Sequence, residues 1–164
     1  MAESKILLLD TGPLRELVLY SAVENLGFAS LKKEMQFLQT KNRYENLAGF
    51  ISNFRQRKTT PHVVSEMSSW ILRTFESGRA NIWRLVFEEF TRMHMDEQTI
   101  ELVRMPCESV IKLGATDTGL LEAASELGAW STTVLSIDHA LIAECRGAGL
   151  HALHLRDVVE ADAV

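Results

Sequence analysis

Sulfur chemistry is scarce in this chain. Only Cys107 and Cys145 occur in 164 residues. Neither has a second cysteine or a histidine at zinc-ligand spacing, and His151 and His154 lie too far beyond Cys145 to complete such a motif. That excludes a zinc knuckle and leaves two small buried or half-buried thiols in a reducing compartment. Long apolar runs are missing as well. The longest are strand-sized, so no membrane span is expected. The apolar stretch near the start is too short for a signal peptide, and a cytoplasmic address is the expectation. No glycine-rich turn with a lysine follows the first apolar run, which excludes a phosphate loop and a dinucleotide fingerprint. An excess of positive charge is also lacking. The net charge is −5, which argues against bulk nucleic-acid binding, although cations bound at an acidic site would offset it. Two local basic clusters stand out against that balance, Lys32-Lys33 and Arg55-Gln56-Arg57-Lys58. Solvated surface is their plainest reading.

What is present reads as one domain over residues 1–164. Apolar residues make up 46% and charged ones 24%, ordinary values for a folded soluble chain. A chain of this length buries roughly two thirds of its unfolded surface. The runs Ile6-Leu7-Leu8-Leu9 and Val134-Leu135-Ser136-Ile137 read as buried parallel strands, and Ala152 to Leu155 as a third. A helix is expected from about Pro13 to Leu26, with Gly27 as its stop. Apolar spacing over Ser30–Phe54 suits one or two amphipathic helices, followed by a polar loop over Arg55–Thr60. Thr60 and Pro61 open the next helix, which runs to about Gly78, and another spans Asn81–Met95. Thr99–Met105 reads as a short strand. Cys107–Leu113 reads as a short helix closed by Gly114. Thr116 is the expected cap of a helix reaching Gly128, and Asp138 begins one reaching Ala148. Alternation of this kind predicts an α/β fold, a parallel sheet of four to five strands with helices on both faces. Trp70, Trp83 and Phe87 fall on apolar helix faces and read as core rather than as a docking surface.

Four acids are hard to explain as ordinary surface: Asp10, Glu66, Asp117 and Asp138. Asp10 and Asp138 each end an apolar strand run, and open α/β sheets place ligands at those carboxyl ends. Glu66 and Asp117 sit in helical stretches able to lean over the same edge. Four carboxylates gathered there repel one another unless cations hold them, so the pattern points to a divalent-metal site. Each acid also has a plain reading: strand-end turn, helix cap, solvated helix residue or first-turn acid.

Two decoys are set aside on the same residues. Asp10-Thr11-Gly12 and Asp117-Thr118-Gly119 copy the aspartic-protease triplet, yet each opens a helical segment in a chain of the wrong class. A strand ending in aspartate also suits haloacid-dehalogenase phosphatases, but their second aspartate would fall at Gly12.

The order and spacing of four blocks resemble the PIN-domain ribonuclease family, which includes VapC-type toxins of toxin–antitoxin pairs. The blocks are Leu7 to Leu14 around Asp10, Val63 to Met67 around Glu66, Ala115 to Ala124 around Asp117, and Val134 to Leu141 around Asp138. Gly149 to Leu155 then resembles the family's final strand. The resemblance implies a single PIN-like domain in which Asp10, Glu66, Asp117 and Asp138 hold one or two Mg²⁺ or Mn²⁺ ions and hydrolyse RNA phosphodiesters. It also implies a homodimer and, for a toxin, a small antitoxin partner. Thr116 would be an auxiliary polar group. The chain departs from the family at Gly12, where many members carry a hydroxyl or amide, and in a longer helical segment over residues 28–60. A non-catalytic PIN-like module that binds RNA or protein is the alternative.

Overall fold

Ile6–Leu9 forms strand β1, and all four of its side chains are buried. Branched and leucine side chains with no polar alternation suit a strand covered on both faces. The computed structural model of the chain describes residues 5–75 and 80–161. Within them, strand β2 (Gln56–Thr59) pairs with one side of β1 and strand β4 (Thr132–Ser136) with the other. The two-residue strand β3 (Asp96–Glu97) extends the sheet beyond β2, and strand β5 (His151–His154) extends it beyond β4. The order is β3-β2-β1-β4-β5 with every pair parallel, so the fold is α/β, as the alternation predicted.

Parallel pairing needs crossovers, and helices supply them. Helices α1 (Thr11–Leu26) and α2 (Lys41–Ser52) join β1 to β2. Helices α3 (Pro61–Phe75) and α4 (Ala80–Arg92) lead to β3. Helices α5 (Cys107–Leu113) and α6 (Ala115–Leu127) lead to β4, and α7 (His139–Gly147) leads to β5. A last short helix, α8 (Leu155–Val159), ends the described chain. Because the chain leaves β1 toward β2 and returns on its other side as β4, the strand order reverses between β1 and β4. That reversal opens a crevice at the carboxyl ends of the two strands.

Helix α1 shows why these residues fold as they do. Asp10 is its N-cap, and Gly27 ends it in the left-handed region at φ 69°, a conformation glycine adopts without Cβ strain. Leu14, Val18 and Leu19 are fully buried against the sheet, each worth roughly 1.5–3 kcal/mol relative to exposure. Among the described residues no helix is long and apolar enough to cross a membrane.

Several expectations are corrected. The polar stretch expected as a loop at 55–60 contains β2, an inner strand whose side chains are mostly exposed while its backbone pairs on both edges. The strand expected at 99–105 lies upstream as β3, and Leu102–Arg104 is a 3-10 turn. Over 28–54 only α2 is an α-helix, preceded by a 3-10 turn at Ala29–Glu34. Thr116 does not cap α6: it lies inside the first turn, and the cap position is Gly114. Cys145 is buried as expected, but Cys107 is exposed. Trp70, Trp83 and Phe87 are half-buried against the core. The expected helix stop at Gly78 lies outside the described residues.

Candidate active site at the carboxyl edge

The strand reversal brings the two strand-end acids side by side. Leu9 of β1 is in register with Leu135 of β4, so Asp10 and the turn carrying Asp138 emerge at the same edge. Each acid caps the helix that follows it. Asp10 Oδ1 accepts the Thr11 N–H at 2.6 Å, and Asp138 Oδ1 accepts the Ala140 and Leu141 N–H groups at 2.6 and 3.1 Å. The capping reading is therefore correct for Asp138, and Asp10, expected as a strand-end turn residue, is a cap as well; capping positions both carboxylates without consuming all their lone pairs.

Ser136 ties the two together. Its hydroxyl donates to Asp10 Oδ2 at 2.5 Å and accepts the Asp138 N–H at 2.9 Å. Thr11 makes the matching link to α3: its hydroxyl donates to Glu66 Oε2 at 3.1 Å. Sequence reasoning missed Ser136 and Thr11. Their only signal was a small hydroxyl residue next to, or two places before, a strand-end acid. A Cβ on Gly12 would lie 2.4 Å from Ile137 Cγ1. The start of α1 thus packs directly on the turn that carries Asp138, and no larger residue fits there.

Asp117, in the first turn of α6, completes the group electrostatically. Its carboxyl is pushed up to about 7, first by burial and then by the charges of Asp10, Asp138 and Glu66. Asp10 is 6% exposed. Burial raises its pKa, the Ser136 and Thr11 hydrogen bonds pull it back, and Glu66 and Asp138 add to the rise. Behind them the buried Cys145 thiol is held at about 12, by burial first and then by Asp117 and Asp10. At that value it is neither nucleophile nor metal ligand near neutral pH. All four acids picked out in the sequence therefore share one edge and one field. Asp10 is buried and Asp117 half-buried, whereas Glu66 and Asp138 are exposed.

Among the described residues, no three carboxylate, imidazole or thiol groups come close enough together to enclose one metal ion. The donor chemistry still suits a hard cation. Four like charges raise one another's proton affinity, and a divalent ion relieves that repulsion as a proton would. Magnesium usually keeps several waters and takes one or two carboxylates directly, so a site for it does not require a closed cage. No protein-family model matches the sequence, and no curated protein matches it.

Proposed function

We propose that this edge is the site of a metal-dependent ribonuclease, a PIN-like hydrolase acting on RNA phosphodiesters with Mg²⁺ or Mn²⁺. The observation that carries the reading is the linkage of Asp10, Glu66 and Asp138 at the strand reversal through Thr11 and Ser136, with Asp117 in the field of all three. When bound, a divalent cation supplies charge neutralisation on the phosphate and acidifies the attacking water. The residues of the chain do the rest. Asp10 and Asp117, the more shielded acids, would hold the cation, and Asp138, fixed by α7, would complete or back that set. Glu66 is exposed and oriented only by Thr11, which leaves it free to accept a proton from, and orient, the water that attacks in line. In-line attack leaves a 5′-phosphate and a 3′-hydroxyl, and neither a histidine nor a cysteine nucleophile is needed. RNA substrate, a homodimer, a cytoplasmic setting and an antitoxin partner belong to the same proposal.

Mn²⁺ titration of wild type against Asp117→Asn, without RNA, tests the site before any substrate is chosen. Binding that the variant loses supports the reading and justifies a search for the cleaved RNA. Absence of binding at millimolar metal would shift the conclusion to a second reading, a non-catalytic RNA-binding module.

A further inference from the structure

A second candidate site borders the sheet, and none of the four acids lines it. A hollow of about 490 Å³ has Leu9 and Leu17 among its lining residues, and Arg55, Arg57, Arg92 and His94 among the rest. Its volume is within the roughly 300–1,000 Å³ of small-molecule sites. No aspartate or glutamate lines it, although the chain carries a net charge of −5. Low-dielectric walls beneath such a one-signed rim concentrate its field on whatever enters.

The arginines are held, and two of them are uncompensated. Arg57 is on β2 in register with Leu7, and the Arg55 N–H donates to the Lys5 carbonyl at 3.0 Å. Sheet pairing thus fixes both backbones before any ligand arrives. Elsewhere arginines are matched, as in Arg43–Glu160 at 2.9 Å and Arg104–Glu126 at 2.6 Å. Arg92 shares its charge with Glu89 at 2.5 Å. Among the described residues neither Arg55 nor Arg57 has such a partner. Two free guanidinium forks ask for more than one negative charge and match phosphate geometry. The remaining wall is apolar and partly aromatic. It includes Phe54, Met93, Met95 and Tyr44, whose ring is fixed by stacking on Tyr20 at 4.1 Å. Flat rings and soft thioethers suit a planar, polarizable body.

We infer that this hollow binds a nucleotide, with the phosphate on Arg55 and Arg57 and the base against Phe54 and the methionines. The site does not depend on the carboxylate edge. The nucleotide has two sources, a free mononucleotide or the 5′-phosphorylated end of an RNA strand.

Calorimetric titration of the full chain with ADP, and separately with inorganic phosphate, tests the inference. ADP binds, and phosphate alone binds at least about tenfold more weakly because the apolar wall contributes nothing to it. The double variant Arg55→Gln/Arg57→Gln changes two exposed side chains, keeps the wild-type melting temperature, and loses at least about tenfold in ADP affinity. Asp117→Asn binds ADP as wild type does, which separates this site from the acidic edge. On Asp117→Asn protein, displacement of ADP by a 5′-phosphorylated oligoribonucleotide, but not by its 5′-hydroxyl counterpart, identifies a strand end. ADP binding that no oligonucleotide displaces identifies a free nucleotide. No ADP binding at millimolar concentration, or equal affinity in the double variant, overturns the inference.

Discussion

Asp10 and Glu16 sit six positions apart at the start of the same helix, and both are buried, yet their surroundings make them opposites. Glu16 has no exposed surface. It reaches across to the 35–40 segment and accepts three backbone N–H groups, from Gln36 at 2.7 Å, Phe37 at 2.8 Å and Leu38 at 2.9 Å. Those amides have no helix or strand partner, so one carboxylate satisfies three orphan donors and pins the segment between α1 and α2. Asp10 has two hydrogen bonds and three acidic neighbours whose charges act at the same edge. Burial alone therefore does not make a reactive carboxylate. Crowding by like charge, without enough donors to absorb it, is what distinguishes the edge from the anchor.

The contrast can be broken from either side. On the acidic side, the largest expected effect is on chemistry: Asp10→Asn or Asp117→Asn abolishes metal-dependent RNA cleavage while far-UV circular dichroism stays unchanged. Full activity in both variants would remove the assignment. On the anchoring side, Glu16→Ala orphans three buried amides and costs about 3 kcal/mol or more, read from the urea midpoint. A loss below about 1 kcal/mol would mean that the segment is held by its apolar residues instead.

Next in size is Gly12→Ala, whose Cβ meets the branched Ile137 side chain. Overpacking of this kind costs about 1–3 kcal/mol. The double variant Gly12→Ala/Ile137→Ala should recover part of that loss, because it removes the obstructing atoms.

A pH dependence sharpens the comparison further. Burial and the neighbouring carboxylates hold Asp117 at about 7 in the fold against an ordinary 3.8, so the folded state holds that proton more tightly than the unfolded one. The stabilisation is complete below the lower value and is lost as pH rises through the higher one. Metal-free wild type should therefore match Asp117→Asn in melting temperature near pH 4 and fall below it by pH 8. Adding Mn²⁺ at pH 8 should narrow that gap by raising the wild type alone. A gap that is independent of pH would rule out ionisation of a desolvated, crowded Asp117 as its source.

Legibility in the sequence followed the range of the interactions. Strand β1 and the run Val134-Leu135 were readable because full burial needs unbroken apolar side chains. Strand β2 was not. Gln56, Arg57 and Lys58 point mostly to solvent, and only its backbone hydrogen bonds, with partners far away in sequence, make it a strand. Thr116 misled because capping depends on backbone dihedrals that a threonine shares with many non-cap positions. The four acids were identifiable one by one, whereas Thr11 and Ser136 gained a role only through bonds to residues 55 and 126 positions away.

What the sequence determined by itself is therefore local: the apolar strands, the start of α7 at Asp138, and the glycine stop of α1 at Gly27. Each rests on side chains and backbone groups within a turn of one another. The tertiary structure alone decided that four acids share one field, that Glu16 is an anchor rather than a fifth member, and that Arg55 and Arg57 face a hollow instead of a loop surface. Those outcomes depend on the strand order, because charge and burial act through space and the parallel sheet sets which distant residues meet.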